Sequence, residues 1–167
     1  MNYEILILRL LHIVFGVFWA GSAIFFALVL QPSLVRLGPA IQGPVMGVLV
    51  PIMSRVLIGS AVITIVAGLT LALRLRDLDT WFDTGWGWAI LIGIVTAVGA
   101  ISMGITLSIL AHRMIALGQA LQGRDPTQEE GAEMQQLSVR LPRLGRSVAV
   151  LVIIAIGAMA SVRVVGY

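Results

Sequence analysis

The sequence has neither cysteine nor lysine among its 167 residues, and charged residues of any kind make up only 11% of it. The absence of cysteine excludes disulfides, thiolate metal sites, iron–sulfur clusters and cysteine nucleophiles. Because lysine is absent, all 11 basic residues are arginines, and they are scattered rather than gathered into one basic stripe. The net charge of +3 therefore does not indicate a nucleic-acid partner, and lipid headgroups are the expected counter-charge.

Long hydrophobic runs dominate what is present. Hydrophobic residues make up 59% of the chain and its mean hydropathy is +1.01, a composition typical of a membrane protein. Four apolar stretches have the length, roughly 20 residues, that a helix needs to cross a bilayer. They cover residues 5–30, 48–73, 88–111 and 148–165. We predict an all-α fold in one domain over residues 1–167: a four-helix transmembrane bundle with antiparallel neighbours. The first stretch lacks the features of a cleaved signal peptide and is expected to be retained.

Two short connections are predicted between the spans. Residues 31–47 contain several glycines and prolines and are expected to form a loop, and residues 74–87 join the second and third spans. Connections this short make successive helices antiparallel neighbours.

The third connection, residues 112–146, is the only long polar segment, and we predict a helical hairpin there. Asp125 is expected to be the N-cap of a helix in this segment, with Pro126 at the first helical position. Thr127 and Glu130 have the spacing of a capping box. Pro142 is expected to end this helix before the fourth span. The segment is either a solvated hairpin or a docking surface for partner membrane subunits.

The distribution of arginine predicts the orientation in the membrane. Seven arginines lie at the ends facing connections one and three, against four on the other side; the seven are Arg36, Arg55, Arg113, Arg124, Arg140, Arg143 and Arg146. By the positive-inside rule, both termini are expected outside a bacterial inner membrane and residues 112–146 in the cytoplasm. Trp81, Trp86 and Trp88 are expected to mark the outer interface.

Small residues recur at four-residue spacing on each predicted span, a pattern that lets helix backbones approach closely in lipid. The set comprises Gly16 and Ala20, then Ser60, Thr64 and Gly68, then Ala100, Gly104 and Ser108, then Gly157 and Ser161. We expect these faces to pack the four helices against one another or against partner subunits.

His12 interrupts an otherwise apolar run on the first predicted helix. A polar side chain inside a membrane helix normally faces the bundle and finds a partner, so His12 is a candidate functional residue. Neutral imidazole binds haem iron or copper, and a nearby arginine suits the propionates of haem. The predicted cofactor-binding residues are His12, Arg9, Gly16, Trp19 and Arg163, with His12 as the predicted metal ligand and Gly16 leaving room for a flat ring.

A simpler role for His12 is equally open. The imidazole would then form an interhelical hydrogen bond to a hydroxyl such as that of Thr70, and Arg9 would extend to the headgroups. His112 is expected at the cytoplasmic end of the third helix, some ~20 Å from His12 along the membrane normal, so the two histidines are not expected to share one site. No carboxylate lies within the predicted membrane core, which leaves a proton relay without evident members.

The first helix resembles a known family. His12 is followed seven residues later by Trp19 and then by Ala20-Gly21, and Gln31-Pro32 closes the stretch. This pattern resembles the copper-resistance protein D (CopD-like) superfamily of small bacterial membrane proteins, and the resemblance implies copper or haem binding by His12. A similar pattern occurs in the HemJ-like four-helix haem proteins, but their lysine-containing motif cannot exist in this chain, so their oxidase activity is not carried over.

Two functional hypotheses follow. In the first, the chain is a four-helix protein of the bacterial inner membrane that binds haem b or copper through His12 in a redox or metal-handling role. In the second, it is a non-catalytic accessory or structural subunit of a larger membrane complex, which it contacts through small-residue helix faces and residues 112–146.

Overall fold

The computed structural model describes residues 3–165, and within that range every regular element is helical, with no strand. The elements are α1 (Tyr3–Phe25), a π-helical turn (Phe26–Leu30), α2 (Gln31–Leu37), α3 (Pro39–Leu75), a 3₁₀ turn (Leu78–Thr80), α4 (Gly85–Ala120) and α5 (Gln128–Val165).

Four helical segments between residues 3 and 165 are long and apolar enough to cross a membrane. They are Tyr3–Leu37, Pro39–Leu75, Gly85–Ala120 and Gln128–Val162. The predicted number of segments able to cross a membrane is confirmed. Each segment contains 35 to 37 residues and is therefore about 50–55 Å long, whereas the hydrocarbon core of a bilayer is about 30 Å thick. The helices thus extend well beyond the spans that hydropathy predicts.

The predicted loop over residues 31–47 is wrong. Only Gly38 is non-helical between α2 and α3, with a φ of 86° that a residue with a Cβ rarely adopts. The amide of Gly38 donates to the carbonyl of Val35 at 3.2 Å, which closes the end of α2. Pro39 then occupies the first turn of α3, where its missing N–H costs nothing. Glycine and proline therefore mark a sharp corner between two helices rather than a loop.

A π-helical turn links α1 to α2 and keeps this first segment continuous. Pro32, which follows it, has no N–H to donate, and its ring would clash with the carbonyl of Leu28 in a regular α-helix. The Gln31 amide donates to the carbonyl of Phe26, five residues back, so the helix is wider here and leaves room for the proline ring.

The start of α5 confirms the capping box but not the predicted N-cap. The Thr127 amide donates to Glu130 Oε2 at 2.9 Å, and the Glu130 amide donates to Thr127 Oγ1 at 3.3 Å. The helix therefore begins at Gln128, and the prediction of Asp125 as N-cap is wrong because this reciprocal pair satisfies the first amides. Asp125 and Pro126 belong to the preceding connection.

Pro142 does not end a helix, contrary to the prediction. It lies inside α5, which continues without a break to Val165. Leu137 and Val148 are buried on either side of it, so packing of α5 holds the helix through the one hydrogen bond that proline removes. Residues 112–146 consequently comprise the last part of α4, a short connection and the first part of α5.

Small side chains dominate the centre of the bundle, which is formed by α1, α3, α4 and α5. Its buried members are Trp19, Ala20, Ala23, Ala61, Ala100, Val148 and Val152. In lipid, helices gain most from close van der Waals contact, which alanine and glycine permit. Ala20 and Ala100 confirm that part of the small-residue pattern faces the core.

A second cluster closes the end of the bundle near the connection between α3 and α4. Trp81 and Trp86 are buried there and meet edge to face, with ring centroids 5.6 Å apart. Trp81 Nε1 donates to the carbonyl of Arg76 at 3.1 Å, and the Arg76 guanidinium lies 5.0 Å from the Trp86 ring centroid. Trp88 is exposed. Of the three tryptophans predicted to mark an interface, two therefore hold the connection together inside the protein.

Candidate functional site at His12

His12 forms a hydrogen bond between α1 and α3. Its Nδ1 lies 2.8 Å from the backbone carbonyl oxygen of Thr64. Because a carbonyl only accepts, Nδ1 carries the proton, and in the neutral ring Nε2 keeps its lone pair. A backbone carbonyl on one ring nitrogen is the usual way in which a protein fixes the tautomer of a ligating histidine.

Two glycines bring α1 and α3 close enough for this bond. A Cβ on Gly68 would lie 2.5 Å from both Nδ1 and Cε1 of His12. A Cβ on Gly16 would lie 3.2 Å from the methyl group of Thr64. Thr64 thus occupies the space beside Gly16 that was expected to take a flat ring. The His12 imidazole occupies the space beside Gly68. Both glycines serve the approach of the two helices.

The Nε2 atom of His12 faces away from this contact. In the described range, no buried side-chain nitrogen or oxygen lacks a hydrogen-bond partner. The one hydrogen bond of the His12 side chain within that range is made by Nδ1. Nε2 is therefore not fully enclosed, and the ring as a whole is half-buried.

The predicted hydrogen bond from His12 to a neighbouring helix is confirmed, but its predicted acceptor is wrong. The hydroxyl of Thr70 donates within its own helix to the carbonyl of Val66, at 2.9 Å. A hydroxyl inside a helix often turns back onto the carbonyl one turn earlier in this way. The acceptor is instead the main-chain carbonyl of Thr64, which a search for polar side chains could not find.

The remaining predicted site residues are placed as follows. Trp19 is buried on the same face of α1 as His12, two turns further along. Arg9 is exposed. Arg163 is part of α5, but its side chain lies outside the described residues. The structure thus brings His12, Gly16 and Trp19 to one face of α1.

Two arginines near the same end of the bundle have partners within the protein. Arg74 Nη2 lies 2.9 Å from Glu4 Oε1, an ion pair that joins α1 to α3. Arg76 Nη1 donates to Thr84 Oγ1 at 2.9 Å. The sequence alone does not single out Glu4, because an isolated acid near the start of a helix is typical of a favourable helix-dipole interaction. Only the packing of α1 on α3 brings Arg74 to it.

His112 lies elsewhere on the bundle, as predicted. Its Nδ1 donates to the Ser108 carbonyl of its own helix at 2.8 Å, and the Ser108 hydroxyl donates to Ser54 Oγ on α3, also at 2.8 Å. On α3, Ser54 and Thr64 lie ten residues apart, about 15 Å along a helix. His12 and His112 therefore belong to separate contacts.

The donor set around His12 limits the metals that it could hold. Within residues 3–165, no group of three or more histidine, aspartate or glutamate side chains is arranged to bind a metal ion. A bare copper ion needs several protein ligands. A haem iron takes four nitrogens from its porphyrin and requires only axial ligands from protein. The described part of the chain therefore places one imidazole of fixed tautomer at this site.

Two surface grooves lie along α4 and α5, and neither is lined by His12. One, of about 420 Å³, lies between the ends of these helices and includes Arg113 and Glu133, which form an ion pair. The other, of about 380 Å³, lies nearer the middle of α5 and includes Arg146. In the connection between α4 and α5, hydrogen bonding to the Glu130 carboxylate raises the pKa of Arg124 above its ordinary value.

Comparisons of the chain with protein-family models, with curated proteins and with solved structures found no match.

Proposed function

We propose that this chain is a multi-pass protein of the bacterial inner membrane that binds haem b through Nε2 of His12. The hydrogen bond from Nδ1 to the Thr64 carbonyl carries this proposal, because it leaves Nε2 as the nitrogen with a free lone pair. A haem bound there would supply one-electron redox chemistry. Copper is the alternative cofactor in this proposal, and it would need further coordinating side chains from a partner chain.

The residues around His12 have separate roles in this proposal. The Thr64 carbonyl orients the imidazole, while Gly16 and Gly68 let α1 and α3 approach closely enough for that hydrogen bond. Trp19 anchors the same face of α1 in the core. Arg9, which is exposed three residues before His12, offers a cation to a carboxylate outside the bundle. Because Nε2 is not fully enclosed, its ligand would reach it from the surface of the bundle.

The second candidate function is that of an accessory subunit in a larger membrane complex. Its support comes from Gly104 on α4 and Gly157 on α5, two members of the small-residue pattern. A Cβ on either glycine would meet no other atom within 4 Å. Small residues that pack nothing inside their own chain are suited to close contact with a helix of another chain. If the chain is an accessory subunit, His12 serves only to form its hydrogen bond to the Thr64 carbonyl.

The proposed topology places neighbouring helices antiparallel and the connection between α4 and α5 in the cytoplasm. Contacts between α4 and α5 support this arrangement, since residue numbers rise on one helix as they fall on the other: Gly93 with Met159, Gly99 with Leu151, and Arg113 with Glu133. Contacts between α1 and α3 follow the same order: Glu4 with Arg74, and His12 with Thr64. The arginine distribution supports the orientation.

Replacement of His12 tests the haem proposal directly. Protein purified in mild detergent from haem-replete cells is expected to show a Soret band with stoichiometric haem, and His12→Ala is expected to remove or strongly shift it. His112→Ala is the matched control, because this imidazole lies in a separate contact, and its spectrum should equal that of the wild type. A wild type without haem, or an unchanged spectrum in His12→Ala, contradicts the proposal. Stable co-purifying subunits without haem or copper would support the accessory role instead.

A reporter fusion tests the orientation. An enzyme that is active only in the cytoplasm, inserted at Gly123 in the connection between α4 and α5, is expected to be active. The reason is the excess of arginine at this end of the bundle, counted as seven against four. Activity of an outward-only reporter at the same position would reverse the orientation and place His12 in the cytoplasmic half.

A further inference from the structure

We propose that the groove between α4 and α5 at Arg146 is a binding site for an anionic phospholipid, with its phosphate on Arg146 and part of an acyl chain in the groove. The groove has a volume of about 380 Å³ and is lined by Met103 from α4 and by Arg146, Ser147, Val150 and Leu151 from α5. Apart from Arg146 and the Ser147 hydroxyl, the lining side chains are apolar.

In the part of the chain that the structure describes, no acidic side chain forms an ion pair with the arginine of this groove. The ion pairs within residues 3–165 join Arg74 to Glu4, Arg113 to Glu133 and Arg124 to Glu130, so Arg146 takes part in none of them. No acidic residue follows Glu133 in the sequence, and none lies on α4. An anion from outside the chain is therefore the complementary partner of Arg146.

The position of Arg146 along α5 identifies the kind of anion. After Arg146, the next charged residue is Arg163, sixteen uncharged residues later, a length of about 25 Å that lies close to the hydrocarbon thickness of a bilayer. Arg146 thus lies at the boundary where α5 enters its apolar stretch, and Val150 and Leu151 follow one turn deeper. A cation at the boundary with an apolar groove leading inward complements a phospholipid, whose phosphate and acyl chain have the same order.

Native mass spectrometry in mild detergent, with added phosphatidylglycerol or phosphatidylcholine, tests this site. The wild type is expected to retain phosphatidylglycerol in preference to phosphatidylcholine. Arg146→Gln is expected to weaken retention of phosphatidylglycerol about fivefold, the effect typical of one arginine near a charged membrane surface. Arg143→Gln is the matched control, because it removes the same charge from the same exposed helix outside the groove.

A second variant tests the apolar part of the site. Val150→Trp fills the groove without removing charge and, since Val150 is 54% exposed, it leaves the core intact. It is expected to reduce retention of phosphatidylglycerol while circular dichroism remains unchanged. Equal losses in Arg146→Gln and Arg143→Gln would show general attraction to charge and overturn the site. Full retention by Val150→Trp, or equal retention of both lipids by the wild type, would also overturn it. A dimer that phosphatidylglycerol does not displace would overturn it too, because it would indicate that a helix of a second chain occupies the groove.

Discussion

Gly87→Ala is expected to destabilise the protein by about 3 kcal/mol, at the upper end of overpacking costs. A Cβ on Gly87 would overlap the backbone carbonyl of Trp81. Because this carbonyl belongs to the main chain, a change of side-chain rotamer cannot remove the overlap. Either the connection must lift away from α4 or α4 must shift, and both break the buried contact between Trp81 and Trp86. Thermal unfolding in detergent, followed by circular dichroism and tryptophan fluorescence, measures the effect.

Gly104→Ala is the control for this prediction, because it changes the same residue type on the same helix. A Cβ at Gly104 meets nothing within 4 Å, so this variant should be neutral or slightly stabilised by the better helix propensity of alanine. If Gly87→Ala and Gly104→Ala unfold at the same temperature, the packing of the connection on α4 is not as described.

Gly68→Ala is expected to break the hydrogen bond of His12 and to cost about 1–3 kcal/mol of stability. The added methyl group would lie 2.5 Å from the Nδ1 and Cε1 atoms of His12, so the ring must move away from the Thr64 carbonyl. Under the haem proposal, the same substitution removes or shifts the Soret band even though His12 itself is retained. Thermal unfolding and the absorption spectrum of one preparation give both readouts.

Gly59→Ala provides the matched control on α3, since a Cβ there meets no atom within 4 Å. It should leave both the unfolding temperature and the spectrum unchanged. Lower stability in Gly68→Ala with no haem in the wild type would support the described contact between His12 and α3 and reject the haem proposal. Unchanged stability in Gly68→Ala would contradict the description of the contact between α1 and α3.

The ends of the helices show where reasoning from sequence fails. Proline and glycine at residues 31–47 predict a loop, whereas the structure forms a corner at Gly38 alone. Pro142 predicts a helix end, yet α5 continues through it. A local signal gives the cost of continuing a helix at one residue, but the helix continues when contacts along its whole length outweigh that cost. The capping box of Thr127 and Glu130 was predictable because both partners lie within one turn.

The sequence by itself determined that the chain is helical and has four segments able to cross a membrane, because these properties depend on composition and on the length of each apolar run. It also singled out His12, since a polar residue in an apolar helix requires a partner. Only the tertiary structure decided that this partner is the Thr64 carbonyl, that Gly68 makes room for the ring and that Trp81 and Trp86 are buried. A backbone carbonyl is the same at every residue, so the choice among carbonyls depends on how two helices are packed and leaves no mark in the sequence.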